Sequence, residues 1–176
     1  CLGRLSPEKG HRDLLDALAR VRREGSDFTA VFAGDGPDRS SLERDAAQAG
    51  LHDRVLFLGH VSPPNPVLEE TDLLVLPSHT EGLPNVLLEA LLMEVPVLAT
   101  AVGGTPEVLE EGVTGHMVAP RDPAALADAI LDYLRRPDEW QQTARRGQAD
   151  VRARFDFGAR TRRLEQIYDA VSGAGR

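Results

Sequence analysis

Apolar residues in this chain fall into short unbroken runs that alternate with longer stretches where they recur every three or four positions. The runs are Phe28–Ala33, Val55–Leu58, Leu73–Leu76, Val97–Thr100 and His116–Val118, and Cys1–Gly3 has the pattern of a sixth run's tail. Between runs the helical period takes over: Leu14, Leu15, Leu18 and Val21 share one face. Helices are predicted near residues 10–24, 38–50, 64–71, 85–93, 104–110, 122–135, 138–153 and 157–172. Unbroken apolar strands separated by helices predict a parallel sheet covered on both faces. The expected fold is α/β, a doubly wound, Rossmann-like parallel sheet of six strands. Such sheets bind ligands beyond the carboxyl ends of their strands, so the loops that follow the strands are where chemistry is expected.

Composition narrows the picture. The 176 residues suit one globular domain with a sizeable core. A net charge of −8 lacks the basic footprint of a nucleic-acid binder. One cysteine allows neither an internal disulfide nor a cysteine zinc cage, which makes a reducing cytoplasm the expected compartment. No apolar run reaches the roughly 18 residues that a transmembrane helix needs. Residues 135–163 carry nine arginines against four acids; a solvated face, or one that touches the part of the protein outside this sequence, is expected there, with contact to an anionic membrane surface as a further reading. The chain opens at Cys1 within a strand pattern, from which a longer protein is expected.

Three loops carry candidate chemistry. In Gly3-Arg4-Leu5-Ser6-Pro7-Glu8-Lys9-Gly10, glycines allow a tight turn while Arg4 and Lys9 offer a fork and a point charge suited to a polyphosphate. Gly34-Asp35-Gly36-Pro37 fits a strand-to-helix turn better than a dinucleotide motif, because Gly-x-Gly-x-x-Gly fails at Arg39. The segment from Pro77 to Ala90 is the richest. A helix predicted to start near Pro84 would present free N–H groups at Leu83, Asn85 and Val86, a positive terminus suited to an anion. Glu81 and Glu89 flank that terminus. Carboxylates beside an anion site are favourable where they accept hydrogen bonds from hydroxyls, which ribose and hexose supply. The combination points to a nucleotide-sugar.

Glu81 and Glu89 also form an E-x7-E spacing within Glu81-Gly82-Leu83-Pro84-Asn85-Val86-Leu87-Leu88-Glu89-Ala90. With Gly3-Arg4-Leu5…Glu8-Lys9-Gly10 and Val102-Gly103-Gly104-Thr105-Pro106-Glu107, the chain resembles the donor-binding, C-terminal half of retaining GT-B glycosyltransferases of the large "group 1" family. The resemblance covers nearly the whole chain. It implies that Arg4 and Lys9 hold the donor diphosphate as a leaving group, assisted by Gly82, Leu83, Pro84, Asn85 and Val86. It further implies that Glu81 contacts the transferred sugar, that Glu89 binds ribose, and that Gly59, His60 and Val61 lie by the base. Arg4, Lys9 and Glu81 would then be the catalytic set. Residues 1–156 would form the donor domain, and 157–176 a helix packing toward an acceptor domain outside this sequence.

Metal is not expected. No Asp-x-Asp occurs, and His11, His52, His60, His79 and His116 show no ligand spacing, so the arginine, the lysine and the helix terminus would supply positive charge. No cofactor beyond the nucleotide-sugar substrate is expected. Met93-Glu94-Val95 departs from the family, which often has a small residue and glycine before the following Pro-Val, and Ser62-Pro63-Pro64-Asn65-Pro66 is unusually rich in proline where a helix starts. Two rivals remain open: another GT-B activity, such as a sugar-nucleotide epimerase or a phosphorylase, and a binding module without catalysis.

Overall fold

The computed structural model describes residues 1–155. A 3-10 turn at Pro7–Lys9 leads into α1 (His11–Arg23), β1 (Ala30–Ala33), α2 (Arg39–Gln48), β2 (Val55–Gly59), α3 (Asn65–Glu69) and β3 (Leu74–Leu76). The second part continues with α4 (Asn85–Leu92), β4 (Val97–Thr100), α5 (Thr105–Val108), β5 (His116–Val118), α6 (Pro123–Arg135) and α7 (Pro137–Arg154). Each predicted helix up to residue 153 is present. The helix predicted over 157–172 lies outside the described residues. Among the described residues no helix is long and apolar enough to cross a membrane.

Every ladder is parallel: β1 pairs with β2, and β4 lies between β3 and β5. The alternation along the central strands places helices on both faces. Leu74, Leu76, Val97 and Ala99 point into one apolar cluster with Leu87 and Leu91 of α4 and Val151 of α7. Val75 and Leu98 point the other way, into a cluster with Leu14, Leu18, Leu126 and Ile130 of α1 and α6. Leu98 is fully buried. Truncating such a leucine to alanine typically costs about 2–5 kcal/mol.

Two expectations need correction. The single six-stranded sheet resolves into a two-stranded and a three-stranded group, and the Cys1–Gly3 run adds only a parallel bridge from Leu2 to Ala33. Three residues supply little ladder: Ala33 N–H donates to Cys1 O and Gly3 N–H donates to Ala33 O, both at 2.9 Å. Secondly, β2 is not covered on both faces. It is an edge strand whose Leu56 and Leu58 are 51% exposed, whereas β3 and β4 are buried throughout.

Candidate functional site

The loops at the carboxyl ends of the strands are held together by close backbone approaches that only glycine permits. Gly10 has φ +65°, and a Cβ there would lie 2.0 Å from Pro77 O, so the start of α1 touches the loop after β3. His79 N–H donates to Glu8 O (2.8 Å), and the His79 ring pairs with Asp13 of α1 at 2.8 Å. On the other side of the β3 loop, a Cβ on Gly103 would sit 1.9 Å from Glu81 O, and Gly104 N–H donates to Gly82 O at 2.7 Å. Glu81 is therefore clamped between two glycine-bearing loops that are distant in sequence.

These loops wall a cleft of about 550 Å³. Arg4 and Lys9 line it from the first loop, and Glu81, Pro84, Asn85, Val86 and Glu89 from the β3 loop and α4. His60 and Val61 close it from the segment after β2. Lys9 Nζ lies 2.7 Å from Glu81 Oε1, and the same oxygen accepts a 2.6 Å hydrogen bond from Ser78 Oγ. Arg4 stands exposed at the rim. Below it, the Ser6 hydroxyl, 2.6 Å from Glu8, holds that carboxyl below its usual range, with Arg4 and Lys9 adding to the effect. The N–H groups of Asn85 and Val86 open α4 and have no intrahelical acceptor by position, which leaves the positive end of the helix turned to the cleft.

The structure thus gathers most of the sequence-predicted residues and sets three aside. Gly59, Gly82 and Leu83 do not line the cleft: Gly59 O accepts from Gly34 N–H at 2.7 Å, Gly82 O accepts from Gly104 N–H, and Leu83 is exposed. Pro84 corrects a detail. It precedes the helix with ψ 108° instead of occupying its first turn, so α4 begins at Asn85. The turn reading of Gly34-Asp35-Gly36 holds, because Leu5 N–H donates to Asp35 O and a Cβ on Gly34 or Gly36 would strike Gly3 O or Leu5 O. Yet Asp35 also lines the cleft, a contribution that sequence reasoning missed. Its position after a strand, at the carboxyl edge, was the available signal.

A smaller cavity of about 170 Å³ opens at the amino ends of the strands, between Thr29–Val31 and Asp72–Leu73. Its lining is mainly aliphatic and aromatic, and the cations of the first loop are absent from it. Among the described residues no group of three or more His, Cys, Asp or Glu side chains is arranged to hold a metal ion.

Known proteins share this fold. Residues 1–136 match the family described as "Glycosyl transferases group 1". Alpha-D-kanosaminyltransferase from Streptomyces kanamyceticus is 35% identical over 173 residues, covering 97% of this chain and 45% of that protein. The crystal structure of Anabaena HepE in complex with UDP superposes with a TM-score of 0.88 at 29% identity, over 96% of this chain and 47% of HepE. The C-terminal domain of a group 1 glycosyltransferase (LpcC) from Francisella tularensis gives a TM-score of 0.79 at 25% identity, covering 89% of this chain and 85% of that domain. The chain spans about half the length of the curated relatives it matches. Its fold is accordingly that of the C-terminal half of GT-B enzymes, and the chain belongs to the group 1 glycosyltransferase family.

Proposed function

We propose that this chain is the donor-binding half of a retaining glycosyltransferase that moves a hexose from a nucleoside-diphosphate-sugar to an acceptor hydroxyl. One observation carries the reading: Lys9, the start of α4, Glu81 and Glu89 converge on a single cleft at the carboxyl edge of the sheet. In this reading Lys9 and Arg4 face the diphosphate and stabilise the negative charge it gains when its bond to the sugar breaks. The N–H groups of Asn85 and Val86 meet the same phosphates. Glu89 accepts from the ribose hydroxyls and Glu81 from a hydroxyl of the sugar. The base rests by His60 and Val61, with Asp35 nearby. Support for a nucleotide-sugar comes from HepE, whose structures were obtained with UDP and with UDP-glucose. Retention of anomeric configuration rests on the E-x7-E resemblance, and the acceptor would be held by a further domain across the cleft.

Calorimetry with pyrophosphate, UDP and UDP-glucose tests the assignment. Lys9→Ala is expected to weaken all three by about 10- to 100-fold, the equivalent of one charge-assisted hydrogen bond. Glu89→Ala is expected to weaken UDP but leave pyrophosphate unchanged. Positive charge comes from the protein in this reading, so EDTA leaves each affinity as it was. A Lys9→Ala variant that binds UDP as well as the parent contradicts the proposal.

A further inference from the structure

The proposed role of Glu81 leaves open what aims its carboxylate. Two donors reach it, and both reach the same oxygen. Lys9 Nζ lies 2.7 Å and Ser78 Oγ 2.6 Å from Oε1, while Oε2 has no hydrogen-bond partner among the described residues. Ser78 is itself fixed. It is 2% exposed, and its carbonyl accepts a hydrogen bond from the hydroxyl of Thr100, the buried last residue of β4. A path of hydrogen bonds therefore runs from the end of a central strand through Ser78 to one oxygen of Glu81.

This geometry points to Ser78 as the positioning residue that orients Glu81 for the sugar, an inference that rests on the donor-site reading above. An ion pair with Lys9 alone would not fix the carboxylate, because an ammonium on a four-carbon stem follows its partner as it turns. When a diphosphate draws Lys9 toward its own oxygens, Ser78 is the donor that stays in place. It keeps Oε1 turned inward and Oε2 toward the cleft, where a sugar hydroxyl can donate to it. Ser78 touches neither phosphate nor sugar. Its effect passes through Glu81, so it governs how strongly the site distinguishes a nucleotide-sugar from the bare nucleotide.

The test measures the ratio of UDP-glucose to UDP affinity by calorimetry in the parent chain, Ser78→Ala, Ser78→Thr, Thr100→Val and Glu81→Gln. Ser78→Ala is expected to hold UDP affinity within about twofold and to lower the ratio about 5- to 10-fold, the range of a single hydrogen bond. Ser78→Thr keeps the hydroxyl and restores the ratio. Thr100→Val, which leaves every group at Glu81 in place, moves the ratio in the same direction by less. Thermal midpoints confirm that each variant is folded. The inference is overturned if Ser78→Ala weakens both ligands by one factor, or leaves the ratio unchanged. If Glu81→Gln also leaves the ratio unchanged while the parent binds UDP, the sugar role of Glu81 itself fails and Ser78 has nothing to position.

Discussion

Lys9 is the single lysine among 20 basic residues, and its environment differs from that of the arginines. Among the described residues most arginine ion pairs are solvated, such as Arg22–Asp53 and Arg136–Asp132, a class worth roughly 0–1 kcal/mol each. Lys9 instead pairs with a Glu81 side chain that is only 10% exposed, at the mouth of a cleft. Two residues along the chain, His11 has a character the sequence did not disclose. It is 3% exposed, and its Nδ1 has no hydrogen-bond partner among the described residues. Burial above all, with the positive charge of Lys9 adding to it, lowers its pKa to about 4. The unfolded chain, titrating near 6.5, binds this proton when the folded one does not, so folding stability falls as pH drops from about 6.5 toward 4. Between pH 7 and 5 the loss attributable to His11 is about 2 kcal/mol. Urea unfolding at both pH values should show the parent losing that much more than His11→Leu. An equal loss in the two proteins would contradict the burial of a neutral imidazole. Glu94 is a residue-scale surprise of another sort. It adopts φ +58° at the site where the family resemblance often has glycine, which explains why that loop favours a residue without Cβ.

At the scale of elements, the strand and helix pattern was legible wherever one period dominated. The buried β3 and β4 and the amphipathic α1 and α6 stand within one residue of their expected limits. Edges were harder to read. Val55–Leu58 is an apolar run like the others, and nothing in its composition reveals that Leu56 and Leu58 face outward on an edge strand. Close approach between elements was equally hidden. Gly147 lies within α7, where propensity alone favours alanine by about 1 kcal/mol. A Cβ there, however, would meet Thr114 O at 2.6 Å and Leu91 Cδ2 at 2.7 Å, pressing α7 off α4. The backbone oxygen cannot swing aside as a side chain could. Gly147→Ala is therefore expected to destabilise by about 1–3 kcal/mol, the usual range for overpacking, as read from the thermal midpoint. Stabilisation by this substitution would show that α7 packs less tightly than described.

For the molecule as a whole, the cleft was legible to the extent that its chemistry is local in sequence. Glu81, Asn85, Val86 and Glu89 occur in one stretch, and Arg4 and Lys9 in another, so motif spacing could identify each group. Their juxtaposition could not be read in the same way. It depends on Gly10 against Pro77, His79 against Glu8 and Gly103 against Glu81, contacts between loops far apart in the chain. Asp35 escaped notice for the same reason, since its turn is brought to the cleft by Gly3 and Leu5. The overall charge of −8 is compatible with an anionic ligand because Lys9, Arg4 and the α4 terminus act within a few ångströms, inside the distance over which salt screens. Every role proposed for these residues requires that the cleft receive a nucleotide-sugar. The most direct measurement follows backbone amide shifts of the chain during titration with UDP-glucose to millimolar concentration. Donor binding in the cleft gives saturable shifts at Lys9, His60, Asn85, Val86 and Glu89, with the amides of β5 and α6 unmoved. Absence of any shift at those five amides, or shifts confined to the cavity at the amino ends of the strands, would contradict it.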